Sequence, residues 1–343
     1  MTQICTAMFG LSGLELTPDE RDFFKDCEPW GFSLFARNLD SPNQVQALTA
    51  SIRDALGRDV PIFIDQEGGR VQRLRPPHWR TVRPAADFGR LWDNDPDDAR
   101  EAVNLNHQLM AHEMRHLGID GDYAPCLDLF IDGAHEIIGD RSYGGDPEMV
   151  GALGRAALEG LNEQGVMGVV KHMPGHGRAS VDSHFDLPIV DTSAQTLVET
   201  DFAAFKVLQD APIGMTAHMV YTAIDPDQCT TFSSEIIGKV IRDQIGFDGL
   251  LMTDDLSMKA LEGSFEDRCE RSLAAGCDML LHCNGEMHEM IKVASAAQTL
   301  DGERLRRADA ALSTRGAPRY FDFEIALDRM AALFKQAGLE ANV

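Results

Sequence analysis

The sequence predicts an α/β fold, namely a single-domain (β/α)8 TIM-type barrel with extra C-terminal helices. Short apolar runs alternate with amphipathic stretches along nearly the whole chain, a pattern typical of parallel strands joined by crossover helices. About eight such runs occur, which favours closure of the sheet into a barrel. Several runs end in titratable side chains, as expected where an active site is assembled at the carboxyl ends of barrel strands.

In chain order, we expect strands at residues 4–11, 31–36, 61–65, 118–124, 166–170, 213–217, 249–253 and 278–283. We expect helices at residues 42–56, 97–117, 147–164, 194–208, 233–244 and 265–275. An earlier helix should begin at Thr17, because Thr17 can cap it and Pro18 suits its first position. We expect a catalytic barrel over residues 1–300 and a helical extension over residues 301–343 that packs on the barrel.

Composition excludes several classes of function. The 343 residues are 44% hydrophobic and 25% charged, which is ordinary for a globular protein. A formal charge of −24 argues against nucleic-acid binding, because phosphate backbones are held by clustered Lys and Arg. We expect no membrane span either, since apolar stretches fall short of the roughly 20 residues that one needs.

The seven cysteines form no Cys-x-x-Cys pair and are odd in number, which favours reduced thiols in the cytoplasm. The N-terminal residues lack the basic region of a signal peptide, which agrees with a cytoplasmic location. We expect the protein to act as a monomer.

The segment 171–188 is the richest in chemistry. It holds three histidines, two aspartates and a lysine in what the glycines and prolines predict to be a loop, directly after the apolar run 166–170. Three other runs end in a similar way, at Asp65, at His218 and at the pair Asp254–Asp255. Neighbouring side chains on an extended strand point to opposite faces, so only one of the two aspartates can face the barrel mouth without a turn. A helix cap with an ion pair is the structural alternative for this pair.

The segment Gly246-Phe-Asp-Gly-Leu-Leu-Met-Thr-Asp254 resembles the nucleophile motif of the family 3 glycoside hydrolases. That motif is a Gly-Phe-x-Gly turn, an apolar triplet, Ser or Thr, and the catalytic Asp. The resemblance implies that Asp254, and not Asp255, is the nucleophile.

The segment Lys171-His-Met-Pro-Gly-His-Gly177, followed by Asp182-Ser-His184, is similar to the β-N-acetylglucosaminidase branch of that family. The resemblance implies that His184 is the general acid and base and that Asp182 holds it. A carboxylate stabilises a protonated imidazole, which would let His184 donate a proton near neutral pH. Two departures, Met173 in place of Phe and an altered run at 178–181, affect only the expected packing of the loop.

The family's sugar-binding residues map onto three further motifs. The resemblance assigns sugar contacts to Asp65 and Arg73 in the segment 65–73, to Arg141 in the segment 138–143, and to the pair Lys171 and His172. Structural alternatives remain for their neighbours: an ion pair between Glu67 and Arg70, a turn pair between Asp140 and Arg141, a loop-shaping role for His176, and for His218 either a place in the pocket wall or a strand cap.

The expected function is therefore a retaining exo-β-N-acetylglucosaminidase that acts on a small carbohydrate, in particular on N-acetylglucosamine-containing muropeptide fragments, with no metal and no organic cofactor. The roughly 60 residues after the last strand are too few for the added sandwich domain that supplies the acid in other family members. Three alternatives stay open: an N-acetylglucosaminide phosphorylase, a non-catalytic sugar-binding barrel, and a metal-dependent hydrolase that uses His172, His176, His184 and His218 with Asp254.

Overall fold

Eight parallel strands form the centre of the molecule. The computed structural model describes residues 3–183 and 186–340. The barrel strands are β1 (Cys5–Gly10), β2 (Pro29–Leu34), β3 (Ile62–Ile64), β4 (Gly121–Asp122), β5 (Met167–Met173), β6 (Ile213–Thr216), β7 (Leu250–Met252) and β8 (Leu280–His282). Each strand pairs in parallel with the next one in the chain from β1 to β7, and β8 pairs with β1. A bridge between Met252 and Met279 joins β7 to the start of β8 and closes the barrel, which confirms the predicted fold.

Helices surround the barrel. They are α1 (Pro18–Cys27), α2 (Pro42–Leu56), α3 (Ala85–Trp92), α4 (Pro96–His116), α5 (Pro147–Glu163), α6 (Ala194–Glu199), α7 (Asp201–Val207), α8 (Phe265–Ala275), α9 (Met287–Ala296), α10 (Gly302–Ser313) and α11 (Phe323–Gln336). A π-helical segment, Ile236–Ile245, precedes β7, and short 3₁₀ turns occupy Ala36–Asn38, Gly139–Arg141 and Thr230–Phe232. Short β-bridged pairs connect Gln66–Gly68 with Val71–Gln72 and Ile189–Val190 with Val220–Tyr221.

Two helix predictions can be compared in detail. Thr17 caps α1 as expected: its hydroxyl oxygen accepts from the Glu20 backbone N–H, and the Glu20 carboxylate accepts from the Thr17 backbone N–H at 2.9 Å.

The single helix expected at 194–208 is wrong, because it is broken at Thr200 into α6 and α7. The Thr200 hydroxyl donates to the Thr196 carbonyl, a bond that competes with helical geometry. The break places Asp201 against Arg178, at 2.7 Å.

Alternation along the strands sorts side chains into an inner and an outer core. In β5, Met167 and Val169 belong to the cluster inside the barrel, whereas Val170 packs outward against the helices. In β7, Leu250 and Met252 point inward and Leu251 points outward. Side chains therefore fill the barrel below its mouth. Beyond the end of each strand, the next residues that point inward lie at the mouth itself.

The segment after residue 300 contributes to two parts of the core. Ala308 and Ala311 of α10 join the cluster inside the barrel. In α11, the Phe334 ring packs edge-on against Phe88 of α3, with ring centroids 5.4 Å apart. The division of the chain at residue 300 stays a prediction.

Within the described part of the chain, no helix combines the length and apolar character needed to cross a membrane. All seven cysteines are present as thiols.

Candidate active site

Because side chains alternate along a strand, two predicted site residues lie at the barrel mouth. Lys171 continues the inward series of Met167 and Val169, and Asp254 continues that of Leu250 and Met252. The expectation that Lys171 lies in a loop after residue 170 is wrong, because β5 extends to Met173. A parallel bridge between Cys126 and Lys171 and a pairing of Met173 with Thr216 keep this part of the chain extended.

A cavity of about 300 Å³ opens at this end of the barrel. Its size matches the lower end of small-ligand sites and suits one sugar ring. All five predicted sugar-binding residues line it together with the predicted nucleophile: Asp65, Arg73, Arg141, Lys171, His172 and Asp254. Apolar and aromatic side chains complete the wall: Phe35, Val71, Tyr123, Ile137, Met215, Met258 and Leu281.

Five charged side chains form one alternating chain of ion pairs along the cavity wall. Arg73 Nη2 lies 2.9 Å from Asp65 Oδ2, and Asp65 Oδ1 lies 3.2 Å from Lys171 Nζ. Lys171 Nζ also lies 2.6 Å from Glu67 Oε1. Arg141 completes the series by donating both Nε–H and Nη2–H to the Glu67 carboxylate at 2.8 Å. Three cations thus face two carboxylates in this network.

The alternative pairings considered for this region are wrong. Glu67 binds Arg141 and Lys171 instead of Arg70, and Arg70 lies 3.0 Å from Asp140. Glu67 lies in the hairpin of Gln66–Gly68 and Val71–Gln72, and its side chain lines the cavity. Local sequence spacing could not reveal this, since Glu67 and Arg141 are brought together only by the barrel.

Opposite charges decide the ionisation of the buried network. Burial alone would raise the pKa of Glu67, but Arg141 and Lys171 outweigh it and the pKa of Glu67 lies well below its usual range. The pKa of Asp65 is lowered for the same reason, by Lys171 and Arg73 acting against burial. Burial would lower the pKa of Lys171, yet Glu67 and Asp65 raise it above its usual value. The lysine is therefore a fixed cation at neutral pH.

Asp128 organises the histidines of the site. Its Oδ2 lies 2.6 Å from Nδ1 of His172, and its Oδ1 accepts the backbone N–H groups of His172 at 3.2 Å and His176 at 2.6 Å. Burial favours a raised pKa for Asp128, but His172 overrides it, so the pKa of Asp128 falls well below its usual value. A fully buried carboxylate thus fixes both the ring of His172 and the path of the backbone that follows.

The two neighbouring aspartates have different surroundings. Both line the cavity. The Asp255 carboxylate accepts from the Ser257 backbone N–H at 2.9 Å, the Ser257 hydroxyl at 2.6 Å and the Cys283 backbone N–H at 3.1 Å. These three bonds tie Asp255 to the turn after β7 and to the end of β8. Asp254 accepts the Asp255 backbone N–H at 2.8 Å. Asp255 therefore has a structural role in this turn, but the helix cap considered for the pair is wrong, because residues 253–260 contain no helix.

The predicted acid and base, His184, lies outside the described residues. A contact between His176 and Ser183 holds the described part of the same loop. Nε2 of His176 lies 3.1 Å from the hydroxyl of Ser183, which is buried and lines the cavity. Burial, with a contribution from His172, lowers the pKa of His176 to about 4, so His176 is neutral and shapes the loop. The roles assigned to His184 and Asp182 stay predictions.

His218 is engaged in the barrel wall. One ring nitrogen lies 2.8 Å from the Thr231 hydroxyl and the other lies 3.1 Å from the Asp255 carbonyl, and the residue is fully buried. Among residues 3–183 and 186–340, the one group with metal-ligand geometry is Cys126, Asp128 and His172, whose donor atoms lie within 4.8 Å of one another. In this group Asp128 already binds Nδ1 of His172 and accepts from the Cys126 thiol at 3.2 Å. His218 does not belong to it, so the histidine set of the metal-hydrolase alternative is not brought together in the described residues.

Sequence reasoning missed two carboxylates that hold residues of the cavity wall, Asp128 and Glu67. Asp128 follows β4 in the segment 124–128, and it repeats the pattern of an acidic residue shortly after an apolar run, which could have identified it. Glu67 was considered only with Arg70, because its real partners are 74 and 104 positions away along the chain.

Fold and site together define a class of protein: a barrel hydrolase with buried carboxylates and paired cations in one cavity. Residues 13–312 match the glycosyl hydrolase family 3 N terminal domain, so the chain belongs to this family and is a glycoside hydrolase. It is 39% identical over 281 residues to a beta-hexosaminidase of Alkalilimnicola ehrlichii, covering 81% of this chain and 80% of that one. A beta-hexosaminidase of Thiobacillus denitrificans is 37% identical over 281 residues, which cover 81% and 77% of the two chains.

Solved structures agree with these relatives. The chain is similar to NagZ from Neisseria gonorrhoeae in complex with N-trifluoroacetyl-D-glucosamine, with a TM-score of 0.85, 30% identity and 98% of each chain covered. A family 3 beta-N-acetylglucosaminidase from Paenibacillus has a TM-score of 0.84 and 28% identity, covering 97% of this chain and 67% of that one. The predicted resemblance to the β-N-acetylglucosaminidase branch is confirmed.

Proposed function

We propose that this protein is a retaining exo-β-N-acetylglucosaminidase that removes terminal β-linked N-acetylglucosamine. The observation that carries the proposal is that Asp254 shares a cavity the size of one sugar ring with the charged network of Arg73, Asp65, Lys171, Glu67 and Arg141. Neutral sugar hydroxyls are well bound by such donors, which can each contribute several N–H groups. The names of the relatives support the choice of N-acetylglucosamine.

Asp254 acts as the nucleophile in this proposal. Its carboxylate attacks the anomeric carbon while His184, oriented and charged by Asp182, protonates the departing glycosidic oxygen. The glycosyl ester on Asp254 is then hydrolysed by a water molecule from which His184 removes a proton. The position of Asp254 on the inward face after β7 supports its role, whereas the histidine's role rests on the resemblance of the loop motif.

Muropeptide fragments are the proposed natural substrate, and the enzyme is proposed to act on them as a monomer in the cytoplasm. The seven thiols are compatible with a reducing compartment. The choice of muropeptide rests on the family resemblance.

The direct test is an assay of p-nitrophenyl N-acetyl-β-glucosaminide against the matching glucoside, each with and without phosphate. We expect turnover of the N-acetylglucosaminide, with free N-acetylglucosamine as the product and no requirement for phosphate. Faster cleavage of the glucoside would contradict the proposed specificity. A phosphate-dependent rate with a sugar 1-phosphate product would identify a phosphorylase instead.

A further inference from the structure

Glu67 is a carboxylate that contacts two predicted sugar-binding cations from different parts of the barrel. It is 7% exposed as a side chain, and it joins Lys171 on β5 to Arg141 in the segment after β4. The contacts are short and well oriented: 2.6 Å to Lys171 Nζ, and two parallel bonds of 2.8 Å to the Arg141 guanidinium. A bidentate pair of this kind fixes the plane of the guanidinium as well as its position.

We infer that Glu67 is a positioning residue that sets the direction of the Lys171 and Arg141 donors toward the hydroxyls of the bound sugar. The inference rests on the proposed function, because it assigns those two cations to sugar binding. Glu67 acts through them and needs no contact with the substrate.

The distribution of hydrogen-bond donors supports this role. An ammonium group has three N–H donors, and Lys171 directs two of them at Asp65 and Glu67. Arg141 directs Nε–H and one Nη2–H at Glu67, and an Nη1–H at the Ile137 carbonyl at 3.2 Å. The remaining N–H groups of each cation are then held at fixed angles within the cavity wall, which lowers the entropy lost when a sugar is bound.

No other carboxylate duplicates Glu67 at Arg141. Within the described residues, the ion pairs of Arg141 are with Glu67 alone, whereas Lys171 has Asp65 as a second partner at 3.2 Å. Removing the charge of Glu67 should therefore leave Arg141 without an ionic partner among the described residues, whereas Lys171 keeps Asp65. Glu67→Gln should therefore disturb the position of Arg141 more than that of Lys171.

The charge of Glu67 also affects the protonation of Lys171. The groups that face this ammonium are the carboxylates of Asp65, Glu67 and Asp122, the guanidinium of Arg141 and the ring of Tyr123, whose centroid lies 5.8 Å from Nζ. Burial and Arg141 oppose its charge, while Glu67 and Asp65 stabilise it. Without the charge of Glu67, Lys171 should lose its proton at a lower pH than in the wild type.

The test is Glu67→Gln, which keeps the shape and removes the charge. On p-nitrophenyl N-acetyl-β-glucosaminide we expect kcat/KM to fall tenfold or more, mostly through a higher KM, because the lost donors bind the sugar before and during the reaction alike. The alkaline rise in KM should move to lower pH. In a double-mutant cycle with Arg141→Ala, the effect of Glu67→Gln should shrink clearly, since one of its two targets is already gone.

Glu113→Gln is the matched control. Glu113 is another half-buried glutamate paired with an arginine, Arg80 at 3.2 Å, but it does not line the cavity. It should change the thermal midpoint without changing KM or its pH dependence. If Glu67→Gln changes only the thermal midpoint, as a merely structural ion pair would, the inference is wrong. Glu67→Asp keeps the charge on a shorter side chain. It should therefore restore the wild-type pH dependence of KM more fully than the wild-type affinity for the sugar.

Failure of the inference can be separated from failure of the proposed function. A wild-type protein that cleaves the N-acetylglucosaminide while Glu67→Gln has the same KM would overturn the inference alone. A wild-type protein that binds N-acetylglucosamine in calorimetry but cleaves no glycoside would overturn the proposed function. In that case, equal binding by Glu67→Gln would overturn the inference as well, and weaker binding would support it.

Discussion

Nδ1 of His172 lies 2.6 Å from Oδ2 of Asp128, in a part of the barrel where the aspartate is completely buried. The same carboxylate accepts two backbone N–H groups, so it connects the orientation of a predicted sugar-binding side chain to the path of the loop after β5. Asp128 thus holds two residues of the cavity wall, His172 and His176, although it does not line the cavity itself.

The first prediction concerns this pair. Asp128→Asn should lower the free energy of unfolding by about 2–4 kcal/mol and raise KM several-fold, because an amide has one acceptor oxygen where the carboxylate uses both. Chemical denaturation and steady-state kinetics measure the two effects. Asp120→Asn is the control, because Asp120 lies at the opposite end of the same strand, pairs with Arg315 at 2.6 Å and should affect stability only. An unchanged KM in Asp128→Asn would show that His172 does not depend on it.

The second prediction concerns the nucleophile. Asp254→Asn should lower kcat by on the order of a thousandfold or more while the protein stays folded, because an amide cannot form the glycosyl ester. Asp255→Asn should be far milder, since the Asp255 carboxylate is occupied by Ser257 and Cys283. Steady-state assays on the p-nitrophenyl substrate compare the two. The opposite order of losses would refute the assignment of Asp254.

The third prediction concerns the sugar-binding cations. Arg73→Ala and Arg141→Ala should each reduce kcat/KM by the equivalent of roughly 1.5–3 kcal/mol, the range for a hydrogen bond to a charged group. Arg315→Ala is a control, because this arginine pairs with Asp120 at the other end of the barrel. It should lower the thermal midpoint without changing kcat/KM. Wild-type kinetics in both cavity variants would mean that these arginines do not bind the sugar.

The fourth prediction concerns the acid. His184→Ala should greatly slow the hydrolysis of a natural disaccharide, whereas glycosylation by a substrate with an activated phenol should be slowed much less, because a good leaving group needs little protonation. Asp182→Ala should give the same pattern more weakly. Pre-steady-state kinetics on the two substrate types separate the steps. Equal losses in glycosylation on both substrates would indicate that His184 binds sugar and does not donate a proton.

The fifth prediction concerns the pH dependence of stability at His107 in α4. Burial lowers the pKa of His107 to about 4, below the value near 6.5 of an unfolded histidine. Because only the unfolded state binds the proton between these values, stability should fall by up to about 3 kcal/mol as the pH drops from about 6.5 to about 4.

His107→Gln should remove that part of the decline, as measured by urea unfolding at several pH values. His116→Gln is the control: its Nδ1 has a similar contact with the carbonyl four residues earlier, at 2.7 Å, but the residue is exposed. An identical decline in His107→Gln and the wild type would show that other groups cause it.

The sequence by itself determined the fold and predicted six of the residues that line the cavity. Apolar periodicity identified eight strands and their order, because strands buried on both faces must be apolar throughout. The motifs of the family predicted Asp65, Arg73, Arg141, Lys171, His172 and Asp254 as site residues, and the closed barrel brings them together in one cavity.

Tertiary structure decided the partners. Glu67 meets Arg141 and Lys171, and Asp128 meets His172, because closure of the barrel brings side chains from different strands within hydrogen-bonding distance. Such pairings depend on the geometry of the whole barrel, whereas local spacing suggested only the nearby Arg70 for Glu67. Tertiary structure also decided the length of β5. Its last residues stay extended because neighbouring strands supply their hydrogen bonds. The glycines and prolines in that segment had favoured a loop.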